Sequence, residues 1–437
     1  MGMDREEAKK RIRSVLGEYF SQQQEKFIPG QTPIYTGRAV YDDKEIGAIT
    51  DCLMDGWFGL GRRGAEFELK FAKYVERKYS LVVNSGSSAN LIALDGIRNR
   101  LNLKGGEVIT AACAFPTTFN PIVQLGFRPA VLDVDKTMNI TPEAVEAAIG
   151  PDTKGIMFAH TLGNPAQVEE IAKLAAEHGL FLVEDCCDAL GSKYAGKHCG
   201  HWGDCSTYSF YPAHLITSGE GGALTTNDHA LGRIARSLRD WGRDCWCNTD
   251  EKNPLGACGR RFDFKLTNAE FYDHKFIFSR IGYNLKPMEL QAAMLLEQMG
   301  RIKDFVAIRK RNYKAYSEEM AAFAEFIELP EVNHRAEPVF FGLPMILNHQ
   351  KVKRQDLLKY LNKFQINTRL VFSGNLLYHP AYRDVQYTKC QELTNTDRIM
   401  RDCFWIGIHP GVSEEMIKFV VSKFREYFAN MGAAGRA

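Results

Sequence analysis

Residues 81–100 read LVVNSGSSANLIALDGIRNR, and this stretch decides the fold class. An apolar run of the kind found in a buried strand passes into the turn residues Asn84, Ser85 and Gly86. A helix-periodic segment, beginning SSANLIAL, follows at once. A strand that leads directly into a helix is the opening of a βαβ unit, so the stretch predicts an α/β protein.

The same alternation continues on both sides of this stretch. Amphipathic helices are predicted at 41–56 and 65–79 before it, and at 141–150 and 168–179 after it. Seven candidate strands are found at 81–86, 107–112, 129–135, 155–161, 180–186, 206–210 and 222–226. This order predicts a seven-stranded, mainly parallel sheet covered by helices on both faces. Ligands of such sheets bind beyond the carboxyl ends of the strands.

Three regions are expected along the chain. Residues 1–40 read as an N-terminal helical arm, and residues 41–300 as a large cofactor-binding domain. That domain contains a cysteine-rich insertion at 240–284, where the strand–helix pattern breaks and the sequence turns polar. One long helix is expected near 287–320. Residues 301–437 read as a smaller C-terminal α/β domain.

Composition excludes several classes of function. The 437 residues include 55 Lys and Arg against 53 Asp and Glu, so the net charge is close to zero. A chain without a basic excess is not typical of nucleic-acid binding. The sequence contains no run of about 18 apolar residues, so no membrane span is expected. The charged N-terminus is unlike a signal peptide. A cytoplasmic location is therefore expected.

The turn at Asn84–Ser88 is a candidate phosphate site. A helix N-terminus presents backbone N–H groups and the positive end of the helix dipole, which suit a phosphate. Gly86 permits close approach of a ligand, and Ser87 and Ser88 add hydroxyl donors. An ordinary serine N-cap explains the same residues, so this motif alone is weak.

A second candidate binding site lies in LFLVEDCCDALGS, residues 180–192. Glu184 and Asp185 end an apolar strand, where a carboxylate is costly unless it has a partner. An aspartate there can pair with a protonated pyridine nitrogen and strengthen a B6 cofactor as an electron sink. Asp188 lies close enough to be a further cofactor-binding candidate. A carboxylate that caps the next helix is the simpler alternative.

The segment STYSFYPAHLITSGEGGALTT, residues 206–226, carries a resemblance to a known family. It places Ser209 five residues before His214, and a Gly-Glu-Gly-Gly run follows at 219–222. This pattern resembles the nucleotide-sugar aminotransferases (the DegT/DnrJ/EryC family), which are fold-type I enzymes that use pyridoxal phosphate (PLP) or pyridoxamine phosphate (PMP). In that family a Schiff-base lysine occupies the position of His214.

The resemblance extends over most of the chain and implies roles for individual residues. It implies a PLP or PMP site, with phosphate binding by Gly86 and Ser87, ring stacking by Phe119 and pairing of Asp185 with the pyridine nitrogen. Ser209 is a further cofactor-binding residue. In GYNLKPMELQAAM, Asn284 matches an asparagine that reaches the phosphate of the partner subunit, which implies a homodimer. In TRLVFSGNLLYHPAY, Arg369 matches the sugar-nucleotide end of the site, whereas Tyr378 and His379 depart from the family pattern.

The histidine at position 214 implies a change of reaction. Without the lysine, the cofactor lacks its covalent anchor and the normal transamination cycle is disfavoured. A histidine can still move protons near neutral pH. A histidine at this position resembles the branch of the family that removes the C3 hydroxyl of sugars. A plain aminotransferase and a non-catalytic relative are the alternatives.

Four of the eleven cysteines form a spaced set: Cys187, Cys245, Cys247 and Cys258. Four thiolates suit either zinc or an iron–sulfur cluster, and this spacing matches neither the usual zinc-finger nor the common ferredoxin pattern. The spacing is similar to that of the iron–sulfur 3-dehydrases, which implies a [2Fe–2S] cluster. The last gap is longer here, and Cys186 is an alternative to Cys187. The other cysteines are expected to be structural, namely Cys52, Cys113, Cys199, Cys205, Cys390 and Cys403.

Together these matches imply a PMP-dependent dehydrase that acts on a nucleotide-linked 4-keto-6-deoxyhexose, such as CDP-4-keto-6-deoxyglucose. His214 is the expected catalytic base. An iron–sulfur flavin reductase or a ferredoxin-type protein is the expected electron donor. Two alternatives are a cluster-free dehydrase of a related sugar and a zinc-stabilised sugar-nucleotide-binding protein.

Overall fold

The computed structural model describes residues 3–23, 26–245, 247, 259–268, 270–348 and 350–434. The helices are α1 Arg5–Gln22, α2 Asp43–Asp55, α3 Arg62–Tyr74, α4 Gly86–Arg100, α5 Pro116–Gln124, α6 Pro142–Ala148, α7 Val168–Glu177, α8 His229–Arg239, α9 Glu289–Met299, α10 Ile302–Met320, α11 Arg354–Lys363, α12 Thr394–Asp402 and α13 Glu414–Ala434. The strands are β1 Tyr79–Val83, β2 Glu107–Ala111, β3 Arg128–Leu132, β4 Thr153–Ala159, β5 Phe181–Asp185, β6 Lys193–Tyr194, β7 Lys197–His198, β8 Cys205–Ser209, β9 Gly222–Thr226, β10 Phe264–Lys265, β11 Phe271–Tyr272, β12 Ile327–Glu328, β13 Ala336–Glu337, β14 Gly342–Leu347, β15 Thr388–Lys389 and β16 Cys403–Gly407.

The large sheet has the order β1-β9-β8-β5-β4-β2-β3-β15. Strand β9 runs antiparallel to both of its neighbours, and the other pairs are parallel. The α/β class and the seven expected strands are thus confirmed. The eighth strand, β15, comes from the C-terminal part of the chain and adds to the edge of β3. Most side chains of the central strands are buried because helices cover both faces.

A second core forms in the C-terminal part of the chain. The small antiparallel sheet β12-β14-β16 packs with α10, α11 and α13 around buried apolar side chains that include Leu343, Leu357, Phe404 and Phe424. The division of the chain at residues 40 and 300 stays a prediction. The single long helix expected near 287–320 is wrong, because α9 ends at the capping residue Gly300 and α10 begins at Ile302.

The topology brings the ends of three strands to one edge of the large sheet. Strand β1 ends before Ser85, whose hydroxyl accepts a hydrogen bond from the N–H of Ser88 and so starts α4. Strand β5 ends at Asp185, and the next strand in the sheet, β8, ends at Ser209. Since β5 and β8 are parallel, the residues that follow them emerge on the same side.

The N-terminal helix α1 has no buried side chain, and its large apolar residues Val15 and Tyr19 are exposed. Within the described part of the chain, no helix is both long enough and apolar enough to cross a membrane.

Candidate active site

A cavity of about 660 Å³ opens at the carboxyl edge of the large sheet. Most of the residues expected to bind the cofactor or substrate line it together, namely Gly86, Ser87, Asp185, Asp188, Ser209, His214 and Arg369. They come from four separate segments of the sequence. The structure therefore gathers most of the expected site residues in one place, at the edge where α/β sheets bind ligands.

The floor of the cavity at α4 is a cradle that admits only a small residue. A Cβ atom on Gly86 would lie 2.6 Å from Ser209 Cβ and 2.9 Å from Cys187 Sγ. A Cβ on Gly222 would lie 2.4 Å from the carbonyl oxygen of Ser85. The Ser87 hydroxyl donates to Thr117 Oγ1 at 3.0 Å. The two glycines are therefore required by close packing. The hydroxyl groups that line this end of the cavity, with the positive end of α4, suit a phosphate.

Asp185 is buried beside this cradle and is held in a fixed orientation. Its Oδ2 accepts hydrogen bonds from Asn90 Nδ2 and Thr118 Oγ1, both at 2.7 Å. Its Oδ1 accepts the N–H of Cys187 at 3.0 Å. Thr207 donates to Asn90 Oδ1 and so orients the amide. Three donors therefore fix the orientation of the carboxylate at the cavity, where it can pair with a protonated ring nitrogen.

The preceding residue, Glu184, points to the other side of β5 and is fully buried. Its carboxylate accepts the N–H groups of Gly200, Trp202 and Gly203 and contacts His160 Nε2 at 3.1 Å. Burial raises the pKa of Glu184, but the His160 contact and the backbone donors outweigh it and lower the pKa overall. Its hydrogen-bonding capacity is used within the core, so Glu184 supports the fold.

His214 lies within the cavity wall, with its ring 5.0 Å from that of Phe341. Its Nδ1 is 3.6 Å from Asp188 Oδ1, which is too long for a hydrogen bond, and has no hydrogen-bond partner among the described residues. Burial, with a smaller contribution from Arg309, lowers the pKa of His214 to about 3. The imidazole is therefore neutral near pH 7 and has a lone pair to accept a proton.

Two charged neighbours complete this part of the site. Burial and the nearby Asp185 charge raise the pKa of Asp188 to about 7. Burial lowers the pKa of Arg309 to about 10, which leaves it protonated at neutral pH. Arg309 donates to the carbonyl oxygens of Ala213 and Phe341 at 2.9 Å. It therefore fixes the backbone directly before His214.

The expected stacking aromatic needs a correction. Phe119 is fully buried in a core cluster and packs edge-on against Tyr382 at 5.4 Å. It does not line the cavity, because α5 begins at Pro116 and turns this position towards the core. Phe115, directly before the helix, lines the cavity and is half exposed. An aromatic residue between a buried strand and a helix-starting proline was the signal for it in the sequence.

Sequence reasoning also missed the residues that hold Asp185. Asn90 and Thr118 lie in the first turns of α4 and α5, far apart in sequence. A polar residue in an otherwise apolar helix was the one available signal for Asn90. Their role depends on the parallel order of β1, β5 and β2, which brings both helices to the same edge.

Two further expected site residues, Arg369 and Asn284, differ in whether they line the cavity. Arg369 lines it and is the one Lys or Arg among the described residues that do so. Asn284 is exposed, pairs with Asp240 through a β-bridge and does not line this subunit's cavity. Its expected contact with a partner's phosphate stays a prediction.

The cysteines expected to bind metal are separated in this subunit. Cys187 lines the cavity at the carboxyl end of β1, next to Gly86. Cys247 lines a different cavity, of about 710 Å³, beside Tyr79 and Ser80 at the amino end of β1. Cys245 is partly buried, and Cys258 lies outside the described residues. A single cluster cannot bind thiolates at both ends of a strand, so one subunit, as described, does not fit a [2Fe–2S] cluster.

The remaining parts of the cavity do fit a B6 cofactor. The hydroxyl-lined N-terminus of α4 suits the phosphate, Asp185 suits the ring nitrogen and Phe115 offers an aromatic face. The unpartnered Nδ1 of His214 is available for proton transfer. The charge, shape and hydrogen-bonding groups of this cavity are therefore those of a PLP or PMP site.

Comparisons with known proteins agree with this geometry. The chain is 43% identical to the lipopolysaccharide biosynthesis protein RfbH of Salmonella typhimurium, over 92% of this chain and 93% of the relative. It is 42% identical to the dTDP-4-dehydro-2,6-dideoxy-D-glucose 3-dehydratase of Saccharopolyspora spinosa, over 97% and 93%. Its fold is similar to the structure of E. coli GDP-4-keto-6-deoxy-D-mannose-3-dehydratase with bound hydrated PLP, with a TM-score of 0.80, 26% identity and coverage of 89% and 98%.

The family model of the DegT/DnrJ/EryC1/StrS aminotransferases matches residues 40–425, which is most of the chain. The matched range includes Gly86, Asp185 and His214. The chain therefore belongs to the DegT/DnrJ/EryC1/StrS aminotransferase family and is an enzyme of its B6-dependent, nucleotide-sugar-modifying kind.

Proposed function

We propose that this protein is a PMP-dependent 3-dehydratase that removes the C3 hydroxyl of a nucleotide-linked 4-keto-6-deoxyhexose. The observation that carries the proposal is His214, which occupies the family's lysine position with a buried, unpartnered Nδ1. A neutral imidazole cannot anchor the cofactor covalently, but it can accept and return a proton. Two relatives named as 3-dehydratases support this reaction over transamination.

When bound, PMP supplies an amine that condenses with the sugar ketone and a pyridine ring that accepts electrons. Asp185 pairs with the protonated ring nitrogen, and Asn90 and Thr118 hold the carboxylate in position for this contact. Ser87, Ser209 and the N-terminus of α4 bind the phosphate. Phe115 packs against the ring in place of Phe119.

His214 moves the proton at the C4′ carbon of the cofactor while the C3 hydroxyl leaves. Arg309 holds the backbone before His214, so the imidazole needs little rearrangement to react. Asp188, with its raised pKa, lies 3.6 Å from Nδ1, beyond hydrogen-bond distance, and leaves that nitrogen open. Arg369 at the mouth of the cavity binds the diphosphate of the nucleotide.

CDP-4-keto-6-deoxyglucose is the substrate that the sequence pattern favours, in the biosynthesis of 3,6-dideoxyhexoses. The [2Fe–2S] cluster, the reductase partner and the homodimer in which Asn284 reaches the neighbouring phosphate belong to the same proposal. They rest on the cysteine spacing and on the resemblance of the Asn284 segment. A cluster-free dehydratase is the second candidate, favoured by the separation of Cys187 from Cys247 within one subunit.

The test of the base is proton exchange at the cofactor. PMP deuterated at C4′ is incubated with substrate, and loss of deuterium to water is followed by mass spectrometry. His214→Asn should bind PMP as the wild type does but lose exchange and dehydration by ~10²–10⁴-fold. His178→Asn, an exposed histidine at the end of α7, is the matched control and should behave as wild type. Near-normal exchange in His214→Asn would show that another group is the base.

Two product assays separate the alternatives. An aminotransferase would convert the keto sugar to an amino sugar with glutamate as donor, whereas the dehydratase yields a 3-deoxy ketosugar. Anaerobically purified protein should contain ~2 irons and ~2 sulfides per chain if the cluster is present. Zinc, or no metal after anaerobic reconstitution, would favour the zinc-stabilised or the cluster-free alternative.

A further inference from the structure

We propose that the apolar wall of the cofactor cavity holds the hexose ring of the substrate and selects a sugar that lacks the C6 hydroxyl. The apolar wall is the set of large apolar residues that line this cavity, namely Leu162, Phe341, Leu370, Phe372 and Trp405. The choice of a nucleotide-linked hexose as the occupant rests on the proposed function. The wall adds the side chains that contact the sugar ring and the carbon that they recognise.

The apolar wall connects the expected base of the site to its cation. The His214 ring is 5.0 Å from the Phe341 ring, which is 5.3 Å from the Trp405 ring. Trp405 and Arg369 form an antiparallel bridge, with backbone N–H to carbonyl hydrogen bonds of 2.8 and 3.0 Å. Side chains of directly opposed residues lie on the same face, and both of these line the cavity. Phe341 and Trp405 therefore fill the distance between His214 and Arg369.

A nucleotide-linked hexose has its two anchored atoms at opposite sides of the ring. C1 carries the diphosphate, which a guanidinium such as Arg369 binds. C4 carries the ketone that condenses with the cofactor amine, beside His214. A sugar that is bound at both of these atoms has to lie along Phe341 and Trp405. Their aromatic rings offer a large apolar surface to the C–H groups of the sugar.

The apolar wall has no free side-chain group that could pair with a sugar hydroxyl. Its one polar side-chain atom, Trp405 Nε1, already donates to the carbonyl oxygen of Leu370 at 2.9 Å. Phe341 is 9% exposed and Trp405 is 7% exposed, so a hydroxyl pressed against them would lose its water without gaining a partner. The remaining hydroxyls of the sugar can face polar lining residues from other segments, namely Thr36, Tyr211 and Glu220. A carbon that faces the wall is therefore expected to carry no hydroxyl.

Leu162 lies at the His214 end of the apolar wall. Its carbonyl oxygen accepts the N–H of Phe341 at 2.8 Å. A Cβ on the next residue, Gly163, would lie 2.8 Å from the carbonyl oxygen of Asp188, so this turn is packed between Phe341 and Asp188. C6 is attached to C5, the ring neighbour of C4. A sugar with C4 beside His214 therefore carries C6 to the end of the wall where Leu162 lies.

The backbone of Leu162 is held in an unfavourable conformation. Its φ of +48° and ψ of +30° are left-handed values that a leucine rarely adopts. Among the described residues other than glycine that have a positive φ, Leu162 and Phe372 line this cavity. Such strain persists where the surrounding structure enforces it and is frequent at ligand sites. Two strained apolar residues in one cavity thus support a wall built for substrate recognition.

The test measures the binding of unreactive sugar nucleotides to the PMP-loaded protein. Nucleotide-linked glucose and nucleotide-linked 6-deoxyglucose have a C4 hydroxyl in place of the ketone, so neither condenses with the amine. Both carry the same nucleotide, whose contribution cancels in the ratio of the two dissociation constants. The cytidine, thymidine and guanosine series are compared by isothermal titration calorimetry, and the series that binds most tightly is used.

The wild type should bind the 6-deoxy sugar ~10–10²-fold more tightly than the 6-hydroxy sugar, which is the discrimination that an apolar pocket achieves against an added hydroxyl. Leu162→Asn should reduce this preference to less than ~3-fold, because asparagine tolerates a left-handed backbone and its amide can pair with the C6 hydroxyl. Met138→Asn is the matched control, since Met138 is also buried with a positive φ but does not line the cavity. It should keep the wild-type ratio. Equal affinity of the wild type for the two sugars would overturn the inference.

Trp405→Leu is a second variant that decides the question if Leu162→Asn does not fold. Leucine keeps an apolar side chain at this position but removes the aromatic surface. Binding of both sugar nucleotides should weaken by ~3–10-fold, whereas binding of the free nucleoside diphosphate should not change. The same loss of affinity for all three ligands would show that Trp405 does not contact the sugar.

The binding ratios and the product of the reaction can fail separately. If the wild type prefers the 6-deoxy sugar but produces an amino sugar from the keto substrate, the proposed dehydration fails and the sugar subsite stands. If the wild type performs the dehydration but binds the two sugars equally, only the subsite fails. If it binds none of the three nucleotide series, the proposed function and the subsite are both wrong.

Discussion

Glu184 and Asp185 are adjacent carboxylates on one strand, yet they serve different regions of the molecule. Glu184 faces the core, where three backbone N–H groups and His160 surround it. Asp185 faces the cavity, where side chains from α4 and α5 orient it. Phe119 and Phe115 differ in the same way. The Phe119 ring lies in the core, and the Phe115 ring lines the cavity. At the sheet edge, therefore, one of two neighbouring residues supports the fold and the other faces the cavity.

Substitution of Glu184, on the core side of β5, should have the largest effect on the stability of the protein. Glu184→Gln removes a buried charge and leaves backbone donors poorly paired, so the free energy of unfolding should fall by about 3–5 kcal/mol. Urea unfolding at fixed protein concentration measures this. The folded fraction should retain its affinity for PMP. Unchanged stability together with lost PMP affinity would show that Glu184 serves cofactor binding and not the fold.

Phe119 and Phe115 offer a matched pair of substitutions. Phe119→Ala should lower the free energy of unfolding by about 3–5 kcal/mol because it leaves a cavity in a closed core. Phe115→Ala should change stability much less, since the ring is half exposed, but should weaken PMP binding. Urea unfolding and PMP titration of both variants check the pair. A larger loss of PMP affinity in Phe119→Ala would restore the original assignment of the stacking residue.

Substitution of Asp185, on the cavity side of β5, should have its largest effect on catalysis. Asp185→Asn keeps the size of the side chain but removes the charge that holds the ring nitrogen protonated. Turnover should fall by about 10²–10³-fold, a loss typical of a removed electrostatic contact. Stability should change less than in Glu184→Gln. The measurement is steady-state turnover with PMP in excess, with urea unfolding of the same sample as its control.

The smallest effect is a pH dependence on the core side. The pKa of Glu184 is lowered in the folded state, so its contribution to stability is complete above its unfolded pKa of ~4.3 and is lost as the pH falls through the folded pKa. The stability gap between wild type and Glu184→Gln should therefore shrink in acid. Urea unfolding at neutral and acidic pH measures the gap. A gap that stays constant would show that the Glu184 charge does not matter for the fold.

The sequence predicted the sheet well because long, apolar, regularly spaced strands are a strong signal. It also placed Gly86, Asp185, Ser209 and His214 in one cavity, since these residues fall in motifs that resemble a family. Glu184 and Asp185 could be told apart only by that resemblance, because the alternation of a strand gives two faces but not which one is the core.

The remaining errors and omissions have physical causes. The stacking aromatic was misplaced by four residues, since the start of α5 at Pro116 decides which phenylalanine faces the cavity. Asn90 and Thr118 were missed because their partner is remote in sequence. The geometry of the cysteines could not be predicted from spacing, because spacing does not reveal at which end of β1 each one lies.

The short strand β15 has a consequence for how the chain is made. It adds to the edge of β3, although it is encoded more than half the chain later. During synthesis β3 leaves the ribosome long before its neighbour, so an unpaired strand edge stays exposed to other nascent chains for most of translation. Final closure of the large sheet must wait for the C-terminal part, which makes the order of folding depend on the last fifth of the polypeptide.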